Sequence, residues 1–366
     1  MKCIKFNFYL FIFLILLLIS PESQGQKINE SIEEARKIVS AVMAETNVPG
    51  MAVSISIDGK TIWSEGFGFS NISQQKTVDP SQTLFRIGSV SKPLTAVAVG
   101  LLYEQGKLNL DAVVQEYVPD FPRKKYDITT RQVAGHLAGI RHYRGIEFMS
   151  NIHYESVLEG LKIFQNDPLL FEPESKYNYS TYGWNLISAI VEGASGQPFL
   201  DYMQINVFDP MGMKNTYADD ATKEIANRTN FYRFDGKKTT LAPAVDNSYK
   251  WAGGGFISTS EDLLKFGNAQ LNATVLEEQT IQELIKPQKT KDGKSTNYGI
   301  GWRSGTDKFG RYWYGHTGGS VGGITQFYIY PKEKLVIAMV SNSSNVNYNE
   351  APFKIVDIFL RYSKKN

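Results

Sequence analysis

Ser89 and Lys92 stand three residues apart at the head of an apolar run, in Phe85-Arg86-Ile87-Gly88-Ser89-Val90-Ser91-Lys92-Pro93-Leu94. A separation of three puts both side chains on one face of a helix, about one turn apart, where an amine reaches a hydroxyl. Val90, Leu94, Val97 and Leu101 recur at helical spacing on a different face, so the spacing predicts a helix anchored on one side and lining a cleft on the other. Pro93 fits the first turn, where its missing N–H costs nothing, so the helix is expected to begin very near Ser89 with its positive end toward the serine. Ser89 is read as a nucleophile and Lys92 as the group that takes its proton. A lysine, at about 10.4 in model peptides, acts as a base near pH 7 only when a dry site or a second cation lowers it.

A serine and a lysine at this spacing occur by chance roughly twice in a chain of this size. Ser73-Gln74-Gln75-Lys76 shows it, in a polar stretch with no apolar helix behind it. Context separates the two. Of the 366 residues, 42% are hydrophobic and the formal charge is +2, so a sizeable core can form and nothing supports nucleic-acid binding. Lys2 and Lys5 precede an apolar run from Phe8 to Ile19, too short for a comfortable membrane span. It reads as a signal peptide over 1–25, with cleavage before Gln26 and a secreted or periplasmic product, an uncleaved anchor being the alternative. The one cysteine, Cys3, precedes that run, so the mature chain is expected to carry no thiol, disulfide or lipid anchor.

Ile28, Ile32, Ala35, Val39 and Val42 mark an amphipathic helix ending before Pro49-Gly50, with Ser31 and Glu34 offered as a capping box. Met51, Val53, Ile55 and Ile57 alternate with Ala52, Ser54 and Ser56, and Asp58-Gly59 turns the chain into a partner strand through Trp63. Over residues 86–249 the apolar spacing turns mainly helical, with helices predicted from Ser89 to Gly106, Thr129 to Leu137 and Trp184 to Gly196. Strand signals return beyond 250. Ser258 with Glu261 is expected to cap a helix through Phe266, Pro331 to Lys334 to turn the chain into a strand from Leu335 to Val340, and Pro352 to open a last helix. The predicted fold class is α/β (α+β): an antiparallel sheet from about 27–85 and 250–366, flanked by terminal helices, with the mainly helical region inserted.

In its motifs the chain resembles the penicillin-recognising serine hydrolases: serine beta-lactamases, D-Ala-D-Ala carboxypeptidases and related esterases. After the Ser89 box come Gly135-His136-Leu137-Ala138-Gly139-Ile140, Tyr179-Ser180-Thr181 where the family has Tyr-x-Asn, and His316-Thr317-Gly318-Gly319 where it has Lys-Thr-Gly or a His variant. Asp246-Asn247-Ser248-Tyr249-Lys250-Trp251-Ala252-Gly253-Gly254-Gly255-Phe256 and His136 to Tyr143 most resemble the mitochondrial serine beta-lactamase-like proteases of animals and their bacterial relatives. The resemblance implies a beta-lactamase/transpeptidase-like fold, Tyr179 as proton shuttle, and an oxyanion hole of the Ser89 and Gly319 N–H groups. Tyr179 beside Lys92 is expected near its phenolate form. Glycines after His316 let a substrate backbone pair with a strand edge, with Thr317 beside it.

Two departures bear on substrate. Thr181 replaces an amide that positions substrate and lysine, and His316, mostly neutral at pH 7, would hold a carboxylate less strongly than lysine. No Glu-x-x-Leu-Asn box is evident either, so beta-lactam turnover is expected to be weak or absent. Histidines 136, 142, 153 and 316 lack i,i+4 helix spacing. No metal or cofactor is expected, and His136 and His142 are read as loop-ordering partners. The sequence thus points to a serine hydrolase acting through an acyl-enzyme on small-molecule or peptide substrates. A non-turning-over receptor, or a genuine beta-lactamase or D-Ala-D-Ala carboxypeptidase, is the alternative. Membrane attachment is expected only if the signal segment is retained, and a homo-oligomer stays open.

Overall fold

The computed structural model describes residues 21–363; the signal-peptide reading rests mostly on residues outside that range. Helix α1 (Pro21–Thr46) is longer than its apolar periodicity suggests. Ser31 is not its cap: it lies inside the helix, and its hydroxyl donates to the Lys27 carbonyl at 3.0 Å. The preceding residues are themselves helix-compatible, so the hydroxyl bonds back one turn instead of starting the helix.

Strands β1 (Gly50–Ile57), β2 (Lys60–Asn71) and β3 (Lys76–Thr77) are followed, far along the chain, by β4 (Arg303–Thr306), β5 (Tyr312–Ser320), β6 (Gly323–Tyr330) and β7 (Leu335–Ser341). They form one seven-stranded sheet in the order β3-β2-β1-β7-β6-β5-β4. The pairings throughout are antiparallel. Asp58 and Gly59 both take positive φ, the geometry of a tight hairpin turn. Segments far apart in the chain meet in this sheet, β1 pairing with β7 from Met51↔Ser341 to Ile57↔Leu335.

Helices cover both faces. On one, α1 and the terminal helix (Ala351–Ser363) bury Val39, Met51, Val53, Ile55, Ile337 and Phe359 together. On the other, Ala52, Val336, Ala338 and Phe327 join the core that holds the helix Ser260–Leu271 and the inserted region. The alternation in β1 therefore does not mark a solvent face. Ser54 and Ser56 are fully buried and bond Ser260 at 2.8 Å and Asn268 at 3.0 Å, small residues that let the helix approach. Covered on both sides, the central strand β7 is buried along its whole length, which is why it reads as an unbroken apolar run.

The cap of Ser260–Leu271 is Thr259, whose hydroxyl accepts from the Asp262 N–H, not Ser258, which ends the preceding strand (Phe256–Ser258). The residues read as mainly helical also contain three short strands, Thr216–Ala218, Tyr232–Phe234 and Thr239–Leu241. At three residues each they are too short to leave a period-two signal. Among the described residues no helix is long and apolar enough to cross a membrane.

Candidate active site

Ser89 sits on a single helical turn, Gly88–Val90, that feeds directly into α2 (Ser91–Glu104). Pro93 lies in the first turn of α2, as its ring geometry favours. Val90, Leu94 and Val97 are fully buried and Leu101 packs partly against the same core, which fixes the helix from behind. Below the turn, Arg86 anchors the chain through buried bonds to Asp219 at 2.6 Å and the Val321 carbonyl at 2.8 Å. Asp219 also accepts from Asn247 at 2.7 Å and Arg228 at 3.2 Å. One carboxylate thereby ties the nucleophile strand to the segment leading to Lys250.

Lys92 is fully buried. Its Nζ lies 3.0 Å from Ser89 Oγ, 2.5 Å from the Gly253 carbonyl and 3.4 Å from Thr181 Oγ1. No carboxylate pairs with it among the described residues. Burial, reinforced by the Arg303 and Lys250 charges, holds its amine well below the usual lysine range. The neutral form has a lone pair to offer the serine proton, which a charged ammonium lacks.

Tyr179 faces the same two groups, with its ring centroid 4.8 Å from Lys92 Nζ and its phenol hydrogen-bonded to Ser89. Its pKa moves opposite to expectation. Burial raises it, and the bond to Ser89 and the Arg303 charge offset only part of that rise, so the group is a neutral phenol and not a phenolate. Tyr179 is thus a proton donor at rest.

His136 and His142 order the chain here. His136 Nδ1 accepts from the Ser180 N–H at 3.1 Å and His142 Nδ1 from the Thr181 N–H at 3.2 Å. Ser180 caps the helix Thr181–Ser195, accepting from Gly183 N–H and donating to the Arg141 carbonyl at 2.6 Å. Burial first, then Lys92 and Lys250, brings His142 down to about 4, so it stays a neutral acceptor. Thr181 keeps a contact with Lys92 through its hydroxyl, where the related triplet has an amide.

His316 is 1% exposed, and both ring nitrogens are engaged: Nδ1 donates to the Thr317 carbonyl at 2.6 Å, and Nε2 accepts from the Tyr298 hydroxyl at 3.0 Å. Burial and the Lys92 charge lower it further. A substrate-binding role for this ring does not fit, because it has no nitrogen left to present. Beyond it on β5, Gly318 and Gly319 lie against the nucleophile turn. A Cβ on Gly318 would stand 1.9 Å from the Ile87 carbonyl, and one on Gly88, at φ +51, would stand 2.7 Å from the Gly319 nitrogen. Only glycines permit that approach, which brings the Ser89 and Gly319 amides together. Thr317 is half-exposed beside them.

A cleft of about 250 Å³ opens over Ser89, lined by Tyr143, Phe148, Tyr179, Lys250 and Gly319 among others. A larger cavity of about 810 Å³ around Gln270 and Tyr312 shares none of these residues and is lined by no serine or histidine. Two cations near the cleft carried no assigned role in the sequence reading. Arg303, on β4, lies 5.5 Å from the Tyr179 ring centroid, and nothing local in the sequence marks it. Lys250 stands between Tyr249 and Trp251, an isolated charge among aromatic residues, and that was the available signal. Among the described residues no group of three or more His, Cys, Asp or Glu side chains is placed to hold a metal.

The profile of the Beta-lactamase family matches residues 35–357. The chain belongs to the beta-lactamase family. Its members of this kind are serine hydrolases, and the chain is an enzyme of that class. The human mitochondrial serine beta-lactamase-like protein LACTB is 32% identical, over 89% of this chain and 79% of its own length. Among solved structures, the octameric penicillin-binding protein homologue from Pyrococcus abyssi superposes with a TM-score of 0.80 at 23% identity, covering 90% of this chain and 77% of that one. The D-amino acid amidase from Ochrobactrum anthropi SV3, complexed with L-phenylalanine, gives 0.77 at 20% identity, covering 92% and 99%. These two likenesses establish the beta-lactamase fold of the antiparallel sheet with its flanking helices.

Proposed function

We propose that this family member is a peptidase or esterase working through an acyl-enzyme on Ser89, with weak or no action on beta-lactams. The observation that carries this is the buried, uncharged-leaning Lys92 amine 3.0 Å from Ser89 Oγ. Ser89 Oγ attacks the substrate carbonyl as its proton passes to Lys92, and the carbonyl electron pair moves to an oxyanion held by the Ser89 and Gly319 N–H groups. Collapse breaks the bond to the leaving group, which takes its proton from the Tyr179 phenol or the Lys92 ammonium. Water then attacks the acyl-enzyme carbonyl, giving a proton to the same pair; collapse breaks the acyl–Oγ bond, Ser89 Oγ takes a proton back from that pair, and the acid leaves. The basic and apolar amino-terminal segment favours export, so we place the substrate outside the cytoplasm.

Substrate preference follows from the groups facing the cleft. With His316 closed off and a hydroxyl at Thr181, the cleft lacks the β5 cation and the amide that would hold a beta-lactam. Parallel kinetics with 4-nitrophenyl butyrate and nitrocefin test the reading: measurable ester turnover beside slow or absent nitrocefin turnover is expected. Nitrocefin turnover at about 10 per second or faster would instead identify a beta-lactamase.

A further inference from the structure

Proton transfer at Ser89 uses Lys92 and Tyr179 and leaves a second cleft lysine without a task. Lys250 is 2% exposed and lines the same cleft as Ser89. Its Nζ lies 4.7 Å from the Phe148 ring centroid, 5.2 Å from Tyr249 and 5.8 Å from Tyr143. Ring faces attract a cation but do not neutralise it. Among the described residues no carboxylate forms an ion pair with Lys250. Asp219, whose field reaches it, is committed to Arg86, Arg228 and Asn247. Arg86 repels it, and none of the residues lining the cleft carries a carboxylate.

A buried ammonium in such a place is an unpaired charge, and unpaired buried charges are held at a cost unless something pairs with them. Burial, then Arg86, brings Lys250 down to about 7, and an anion bound beside it would draw it back up. The alternative cation position, on β5, is occupied by the closed-off His316. Among the residues that line the cleft Lys250 is the one lysine or arginine, and it stands on a wall of aromatic rings.

We propose that Lys250 is the anion receptor of this cleft, pairing with a carboxylate on an acyl donor whose apolar body lies against Tyr143 and Phe148. The proposal rests on the acyl-enzyme reading for the bond that is cut, but the binding itself can be measured without chemistry. In the Ser89→Ala variant, calorimetry should show 4-phenylbutyrate binding at least 10-fold more tightly than 4-phenylbutyramide, its neutral counterpart, since a charge-assisted bond is worth roughly 10- to 100-fold. Adding Lys250→Met should erase that preference, and adding Lys250→Arg should retain most of it. Equal binding of acid and amide with Lys250 intact overturns the proposal even if the double variants fail to fold, and so does a preference that survives Lys250→Met. In the intact enzyme, kcat/KM for 4-nitrophenyl hemisuccinate over 4-nitrophenyl butyrate should be about 10 or more, collapsing toward unity in Lys250→Met. Binding preference without any Ser89-dependent turnover would sink the acyl-enzyme reading and leave the receptor standing. Ser89-dependent turnover of both esters without a Lys250-dependent preference would do the reverse.

Discussion

Ser89→Ala is expected to lower turnover of an activated ester by a factor on the order of 10⁴ or more, with the fold intact and the thermal midpoint lowered by no more than a few degrees. Alanine keeps the backbone N–H proposed to hold the oxyanion and removes only the hydroxyl. The packing behind Ser89 is made by Val90, Leu94 and Val97, none of which the change touches. Lys92 retains its 2.5 Å bond to the Gly253 carbonyl, so its amine is not left without a partner. The stability cost is that of two partly solvated hydrogen bonds, to Lys92 and Tyr179, at about 0.5–1.5 kcal/mol each, or a few degrees of midpoint at most. Kinetics and thermal melts of the purified variant check both halves. Turnover above about 1% of wild type would remove Ser89 from the mechanism.

Lys92→Met separates catalysis from stability. It preserves the length of the stem and deletes the amine, so acylation should fall by about 10²–10⁴, the usual contribution of a positioned base. Folding should respond in the opposite direction. The buried amine binds its proton less well in the folded than in the unfolded chain, so between its lowered folded pKa and about 10.4 the unfolded state holds more protons. In that window the lysine's contribution to stability worsens as pH falls. Methionine removes this penalty, so the variant should melt higher than wild type, by a margin that grows from pH 9 to pH 6. Stopped-flow acylation and melts across that range test the pair. A variant that acylates within a few-fold of wild type, or whose melting advantage shrinks toward low pH, would contradict the assignment.

Local signals carried much of this architecture. Asp58-Gly59 specified the hairpin, Gly196 the left-handed end of Thr181–Ser195 at φ +70, and the Ser89 and Lys92 spacing the geometry now seen at 3.0 Å. Even the ordering role read for His136 and His142 rests on an ordinary property of loops, that their backbone amides need acceptors. What stayed hidden depended on distant packing. Ser54 and Ser56 look like a solvent face until the helix Ser260–Leu271 is known to cover it. His316 looks like a substrate ligand until Tyr298, a residue with no motif around it, takes its remaining nitrogen. Tyr179 looks set for ionisation because proximity to a lysine is legible in the sequence and burial, which raises the phenol, is not. Lys250 and Arg303 reach the site from segments more than 150 residues apart from Ser89, and pairwise charge geometry of that kind leaves no trace in spacing.

The central claim is that one hydroxyl in this chain is activated for acyl transfer. Intact-mass spectrometry after treatment with a fluorophosphonate, followed by peptide mapping, tests it most directly. The account predicts a single stoichiometric adduct on the peptide containing Ser89, absent from Ser89→Ala and formed far more slowly in Lys92→Met. An adduct on another residue, or equal labelling of Ser89→Ala, would contradict it.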